Sequence, residues 1–343
     1  MMRLLFITPK IHERDDDFAF ASLWAKAFSR AGFAVTVIAL EVREHTLTFP
    51  VLSLGREKGW PTWRSFLEFQ KIILTTPHDR VFVHMNPRWL AAGAWYWWLR
   101  RTPTYLWYTH YTRPLSLKIG DKIVKRMFAA TDASLPQYDG DQRKVVTGHG
   151  IDTAFWDVPE PPVREPATHL LAVHRISRSK RMEIALKALA LLPPEYTLTH
   201  YGRPLDPRQD PAYAEEIRLL AESPALKGRV RFMGSVPMPE LRGVYPRFQV
   251  LVNMVPDTID KTVVEAMYCG VTPVIRRGHA QAIGYPTSPK DDSPEAVAAY
   301  IRAVTSPSSS ARLSREELRR IVREKHGLDA FVEKMAVFIR PGN

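Results

Sequence analysis

Residues 248–275 read FQVLVNMVPDTIDKTVVEAMYCGVTPVI. An apolar run is followed by a short polar turn, a stretch of helical composition and a second β-branched run, which is the order strand, helix, strand. Two carboxylates, Asp257 and Glu265, stand eight positions apart across the strand-to-helix turn. A helix start offers free backbone N–H groups and the positive end of a dipole, so it favours anions such as phosphates. A carboxylate just beyond that point cannot be another phosphate binder. It either caps the helix or accepts hydrogen bonds from hydroxyls, as a ribose would supply. The helix begins near Asp260, which makes Asp260 a fair N-cap. Glu265 lies about one turn in, beside Val263, Val264, Ala266 and Met267. It is either a surface acid favoured by the dipole or a buried carboxylate in need of N–H or hydroxyl partners.

The same alternation runs outward in both directions. In the second half HLLAVHR, YTLTHYG, RVRFMG, QVLVNMV and VTPVIRR read as strands. RMEIALKALALL, AYAEEIRLLAE, PELRGVYPR, TVVEAMYCG and SPEAVAAYIRAV read as helices between and after them. In the first half RLLFITP, FAVTVIAL, RVFVHMN, PTYLWYTH and KVVTGHG are strands. FAFASLWAKAFSRAG, WRSFLEFQKIIL, RWLAAGAWYWWLRR and LKIGDKIVKRMFAA are helices, the first closed by Gly32. DVPEPPVREP, residues 157–166, has four prolines and no periodicity and is a linker. Strands alternating with helices imply parallel sheets with right-handed crossovers. The expected fold is therefore α/β, with two doubly wound Rossmann-like domains facing a central cleft. The boundaries are 1–156 for an N-terminal Rossmann-like domain, 157–166 for the linker and 167–312 for a C-terminal one. Residues 313–343 are C-terminal helices packing back toward the N-terminal domain. Ligands of such folds sit at the carboxyl ends of strands, so functional residues should follow strands.

The 343 residues are 45% hydrophobic and 24% charged, the balance of a soluble globular protein with real cores. One cysteine, Cys269, excludes an internal disulfide and suits a reducing, cytoplasmic compartment. The apolar run of MMRLLFITPK is too short for a signal peptide and reads as a first strand. No stretch approaches the ~18 apolar residues of a membrane span. The net charge of +12 raises nucleic acid or anionic membrane as partners. Residues 1–157 carry 21 basic and 15 acidic side chains and the remainder 27 and 21, so each half is +6 and no single basic domain or tail exists. With no zinc finger, basic zipper or aromatic RNA-binding signature either, nucleic acid is disfavoured.

Four further features follow strands or precede helices. In VHRISRSKR, Arg175 and Lys180 place two cations near a helix start, where they oppose the dipole unless something anionic compensates. His110 ends the strand in TYLWYTHYTRP and is either a structural histidine or one aimed at the cleft. Asp15 to Asp17 spell an acidic run that could hold a divalent ion, but N-capping of the helix after it is the simpler account. Asp291 and Asp292 before SPEAVAAY read the same way. The helix RWLAAGAWYWWLRR packs in the core or presents an interfacial face, its Arg88, Arg100 and Arg101 suiting a headgroup region.

Taken in order, HRISRSK, VRFMGSVP, an Asp-x7-Glu pair and EAMYCGVTPVI resemble the signature of the retaining GT-B glycosyltransferases of the large family 4 type, the glycosyl transferases group 1. GHGIDTAFW, residues 148–156, is similar to the family's Asn-Gly-Ile-Asp segment before the interdomain linker. The resemblance implies the GT-B fold and transfer of a hexose from a nucleotide-diphosphate sugar. By it, Arg175 and Lys180 grip the diphosphate, Glu265 accepts from the ribose hydroxyls, and the loop at Met233 and Gly234 lies against the base. Asp257 contacts the donor sugar, with His110 beside it. Ile259, Asp260, Lys261 and Thr262 offer backbone N–H groups to sugar and phosphate. The chain departs from the pattern at His174, where relatives have glycine, and at Asp257, where they have glutamate. A third departure is KIHERDDDFAF, where they carry a Gly-Gly loop.

The expected function is thus a retaining glycosyltransferase that moves a hexose to an acceptor hydroxyl. No cofactor and no metal are expected, because cations already stand where the diphosphate needs them. The expected partners are the nucleotide-sugar donor and a sugar or lipid-linked sugar acceptor, with peripheral association at the inner face of the membrane. A sugar-nucleotide epimerase of the same architecture, or a non-catalytic nucleotide-sugar or nucleic-acid binder, are the alternatives.

Overall fold

The computed structural model describes residues 1–109, 112–204, 210–256, 258–306, 308–309 and 311–341. The chain divides into two compact units, residues 1–150 with 328–343, and residues 151–327.

Unit 1 is built on a seven-stranded parallel sheet of order β3-β2-β1-β4-β5-β6-β7. Its strands are β1 (Met2–Ile11), β2 (Phe33–Val42), β3 (Val51–Ser53), β4 (Arg80–His84), β5 (Thr104–Trp107), β6 (Val124–Ala129) and β7 (Lys144–Val146). The helices between them are α1 (Phe20–Arg30), α2 (Thr62–Thr75), α3 (Pro87–Leu99) and α4 (Leu115–Gly120). The interior strand β1 is apolar on both faces because both are covered, and Leu4, Leu5, Phe6 and Ile7 are all fully buried. Its period of two sends Leu4 and Phe6 into one core with Trp24 and Phe28 of α1, and Leu5 and Ile7 into another with Phe69 of α2 and Trp97 of α3.

Unit 2 carries a five-stranded parallel sheet of order β10-β9-β8-β11-β12. The strands are β8 (His169–Val173), β9 (Thr197–Tyr201), β10 (Val230–Phe232), β11 (Val250–Asn253) and β12 (Thr272–Ile275). Its helices are α5 (Met182–Ala190), α6 (Pro211–Glu222), α7 (Leu241–Val244), α8 (Lys261–Tyr268), α9 (Arg277–Ile283), α10 (Pro294–Thr305) and α11 (Arg315–His326). The order reverses between β8 and β11, so the loops leaving these two strands flank the switch point where doubly wound sheets bind ligands.

The two C-terminal helices belong to different units. Helix α11 packs on α8 of unit 2. The next helix, α12 (Leu328–Ile339), sends Phe331, Met335 and Ile339 into the core under β1 of unit 1. There Tyr105 Oη donates to the Phe338 carbonyl at 2.8 Å and Arg80 Nε to the Ile339 carbonyl at 2.9 Å.

Three readings of the sequence need correction. The helix expected over 117–130 ends at Gly120, and Val124–Ala129 is strand β6. Its place between β5 and β7 satisfies both edges of VKRMFA, and that pairing overrides helix propensity. The acidic run does not cap α1, whose N-cap is Ala19 with no side-chain bond. Asp15 Oδ1 instead accepts from the N–H groups of Asp17 and Phe18, and Oδ2 is paired with Lys10 at 2.6 Å. Helix α10 is capped by Ser293, while Asp292 is bound by Arg181 and Arg276. Among the described residues no helix is long and apolar enough to cross a membrane.

Candidate active site

The loop from β11 to α8 is organised by one carboxylate. Asp260 is the N-cap of α8, its Oδ1 accepting from Thr262 N at 3.3 Å and Thr262 Oγ1 at 3.0 Å. Its Oδ2 accepts from Lys180 Nζ at 2.6 Å and from Asn253 Nδ2 at 3.0 Å. Burial pushes the Asp260 carboxyl up, but Lys180 and Asn253 overcome this and hold it well below the usual carboxylate range. The Asp260 N–H donates to Nε2 of the buried His279 at 3.2 Å. That bond requires a neutral ring with its proton on Nδ1, and burial keeps His279 down at about 4.

The turn from β8 to α5 holds four cations, of which three are matched. Arg178 binds Asp210 at 2.6 Å, Lys180 binds Asp260 at 2.6 Å and Arg181 binds Asp292 at 3.0 Å. Arg175 is exposed, and no described residue partners its guanidinium. Its backbone is fixed from beneath. His200 Nε2 donates to the His174 carbonyl at 2.7 Å and His174 Nδ1 donates to the Arg175 carbonyl at 3.1 Å. Burial keeps both rings neutral, His174 at about 3 and His200 at about 4. Gly202, at φ +149, lets β9 pass so close that a Cβ there would come 2.0 Å from the His174 carbonyl oxygen. Gly202 N in turn donates to the Gly234 carbonyl at 2.9 Å, which ties the Met233–Gly234 loop to the same turn. Met233 is half exposed there.

Glu265 is 1% exposed, so it is the buried carboxylate and not the surface acid. Tyr245 Oη donates to its Oε2 at 3.2 Å, and Lys261 Nζ lies 3.9 Å from Oε1. Burial pushes Glu265 up to about 7 against the opposing pull of Lys261 and Tyr245.

The structure therefore joins Lys180, Asp260 and Thr262 directly, pairs Lys261 with Glu265, and links Arg175 to Gly234 through Gly202. Ile259 is buried beside Asp260. His110 and Asp257 lie outside the described residues. Sequence reasoning missed Asn253, His279, Tyr245 and His200. Asn253 left a signal, a polar residue closing the apolar run VLVN. His279 left none, because the short helix α9 is hidden among the arginines and glycine of RRGHA. Among the described residues no three His, Cys, Asp or Glu side chains are grouped to hold a metal.

Residues 157–314 match the sequence profile of the family described as glycosyl transferases group 1. This part of the chain is similar to a group 1 glycosyltransferase domain. It includes both loops of the switch point, and every described residue of the site just built. The chain has the GT-B fold. Anabaena HepE, solved with UDP and glucose, superposes with a TM-score of 0.74 at 16% identity, covering 98% of this chain and 99% of that one. Sucrose-phosphate synthase from Thermosynechococcus elongatus gives 0.72 at 17% identity and 98% of each chain. WaaG, a glycosyltransferase involved in lipopolysaccharide biosynthesis, gives 0.67 at 15% identity, covering 99% and 100%. A sequence comparison with curated proteins gives no match.

Proposed function

We propose that the protein is a retaining, metal-independent hexosyltransferase that moves a hexose from a nucleoside-diphosphate sugar to an acceptor hydroxyl. The observation that carries this reading is Arg175. Of the four cations of its turn it alone is not matched by a carboxylate among the described residues, and it stands at the switch point of the part that matches the glycosyltransferase profile. A donor diphosphate is the anion that would complete it.

When the bond from the anomeric carbon to the diphosphate breaks, negative charge grows on the leaving group. Arg175 meets that charge, and Lys180 adds to it from within its pair with Asp260. Glu265 takes the ribose hydroxyls, Met233 and Gly234 border the base, and the backbone from Ile259 to Thr262 faces sugar and phosphate. His110 and Asp257 complete the sugar side. No residue of the site is assigned as a nucleophile, which favours leaving-group stabilisation over double displacement. HepE binds UDP and WaaG serves lipopolysaccharide synthesis, so UDP-sugars are the first donors to test, with a polysaccharide or glycolipid acceptor. Exposed tryptophans on α2 and α3, Trp63, Trp95 and Trp98, would hold the protein at the cytoplasmic surface of a membrane.

Thermal shift against UDP-, GDP- and ADP-sugars tests the donor site, since a ligand at a hundredfold excess over its Kd stabilises by ~2.7 kcal/mol. NMR of the product then reads the anomeric configuration, with and without chelator. If no nucleotide sugar shifts the melt or is consumed, the reading fails.

A further inference from the structure

We infer that His200 and His174 are positioning residues, two imidazoles that touch no ligand themselves and aim Arg175 at the diphosphate. The inference rests on the transferase reading above and adds how the protein fixes the direction of that exposed cation before any ligand arrives.

Arg175 differs from the other cations of its turn in how it can be held. Arg178, Lys180 and Arg181 are each oriented by a carboxylate. Arg175 is exposed with no side-chain partner among the described residues, so its backbone is the handle by which the protein aims it. A long side chain has many rotamers, and those that reach a given target change whenever the backbone beneath shifts. Charge stabilisation depends on donors already in place when the leaving group forms.

Both carbonyls that flank the Arg175 Cα accept from imidazole N–H groups. The His174 carbonyl accepts from His200 Nε2 at 2.7 Å, and the Arg175 carbonyl from His174 Nδ1 at 3.1 Å. Main-chain bonds complete the frame, from His174 N to the Tyr201 carbonyl at 3.1 Å and from Ile176 N to the Arg203 carbonyl at 2.9 Å. A carbonyl only accepts, so His200 carries its proton on Nε2 and His174 on Nδ1. The two rings meet edge to face with centroids 5.1 Å apart, and Phe232 backs His200 at 5.6 Å.

Packing alone does not call for a histidine at position 200. The residue is 1% exposed, and its Nδ1 is buried with no partner among the described residues. A phenylalanine would fill the same space without an unmet acceptor, so the bond to the His174 carbonyl is what the imidazole contributes. Gly202 serves the same oxygen, since a Cβ there would come 2.0 Å from it and displace it from His200. His174 is one of the chain's departures from the family pattern, and its bond to the Arg175 carbonyl gives that departure a role.

The test measures binding of inorganic pyrophosphate, which stands for the leaving group of any nucleoside-diphosphate sugar, to the full-length protein. The variants are His200→Phe, His200→Gln, Arg175→Ala and His200→Phe/Arg175→Ala, with folding checked by thermal melt. Glutamine is chosen because its amide nitrogen reaches about as far as Nε2 and keeps a donor there. His200→Phe should weaken binding by ~10-fold, against up to ~10²-fold for Arg175→Ala, the range for hydrogen bonds to charged groups. His200→Gln should recover most of the loss, and His200→Phe should cost nothing further once Arg175 is alanine. Long-range 1H–15N spectra should show the Nε2–H tautomer for His200 and the Nδ1–H tautomer for His174. The opposite tautomer at either ring, equal losses in the Phe and Gln variants, or losses that add in the double variant overturn the inference and leave Arg175 in the donor site. Wild type that does not bind pyrophosphate, or Arg175→Ala that binds it as well as wild type, removes the donor reading and this inference with it. Should His200→Phe not fold, His174→Ala, which deletes the bond to the Arg175 carbonyl, takes its place in the same cycle.

Discussion

The Lys180 ammonium lies 2.6 Å from the Asp260 carboxylate, and both are largely withdrawn from water at the start of α8. The anion that the two-cation turn demanded is thus supplied in part by the protein itself. Removing either partner leaves a buried charge unmet. Lys180→Met should destabilise the protein by ~3–5 kcal/mol in chemical denaturation, and Lys180→Met/Asp260→Asn should recover much of that. Because the Asp260 pKa is depressed in the folded state, its stabilisation is complete above the unfolded value of about 3.9 and is lost as pH falls below it. A wild-type advantage over the double variant that does not shrink on acidification would contradict this.

Arg175 separates from Lys180 by the same reasoning. It is exposed and no described residue partners it, so Arg175→Ala should leave the melting temperature unchanged while lowering kcat by ~10²–10³, as for loss of one preorganised donor. A folded variant with unaltered kcat and KM would remove the main support for the donor site.

Glu265 predicts an opposition between stability and binding. Its folded pKa of about 7 lies above the unfolded value, so the native state keeps a proton that the unfolded chain releases, and stability falls as pH rises from about 4.5 through 7. Glu265→Gln should therefore gain melting temperature over wild type as pH is raised from 5 to 8, by roughly 3 kcal/mol at 1.36 kcal/mol per pH unit. It should also raise the donor KM, by ~1–3 kcal/mol if ribose hydroxyls are its ligands. A stability difference that stays flat across this range would show that Glu265 titrates normally.

The Trp-rich helix divides into two roles that substitution can tell apart. Trp97 is fully buried, and its indole donates to His78 Nε2 at 3.1 Å. Trp98 is 72% exposed, and Trp63 on the neighbouring helix α2 is 65% exposed. Trp97→Ala should cost ~3–5 kcal/mol of stability. Trp63→Ser/Trp98→Ser should leave the melt intact but abolish flotation with anionic vesicles at low salt. Flotation unaffected by that pair would dissociate the face from the membrane.

What was legible in the sequence was whatever repeats along it. The apolar periods of FQVLVNM and RMEIALKALALL announced strand and helix because both faces of a parallel sheet are buried. The turns at Arg175 and Asp260 were found because loops at strand ends carry polar residues that a core would exclude. What stayed hidden depended on distance in sequence. VKRMFA became a strand only through its neighbours β5 and β7. Lys180 was claimed by Asp260, eighty residues on. His279 entered the site only because a short helix carries it under the Asp260 amide. No local pattern encodes such pairings, because the partner that decides each residue's role is supplied by the fold.

The return of α12 to unit 1 makes that unit discontinuous, with unit 2 inserted between its two pieces. Residues 1–150 are consequently not a detachable module. Trp24 and Phe28 meet Phe331, Met335 and Ile339 only after the whole intervening unit has been synthesised, so the emerging chain must wait with that core only partly covered, by α1. Unit 2 has no such debt and is free to form first, reversing the usual N-to-C order of assembly on the ribosome. Chains truncated after residue 327 should show a protease-resistant unit 2 beside a labile first unit, and resistance of both would mean that α12 seals a core already closed.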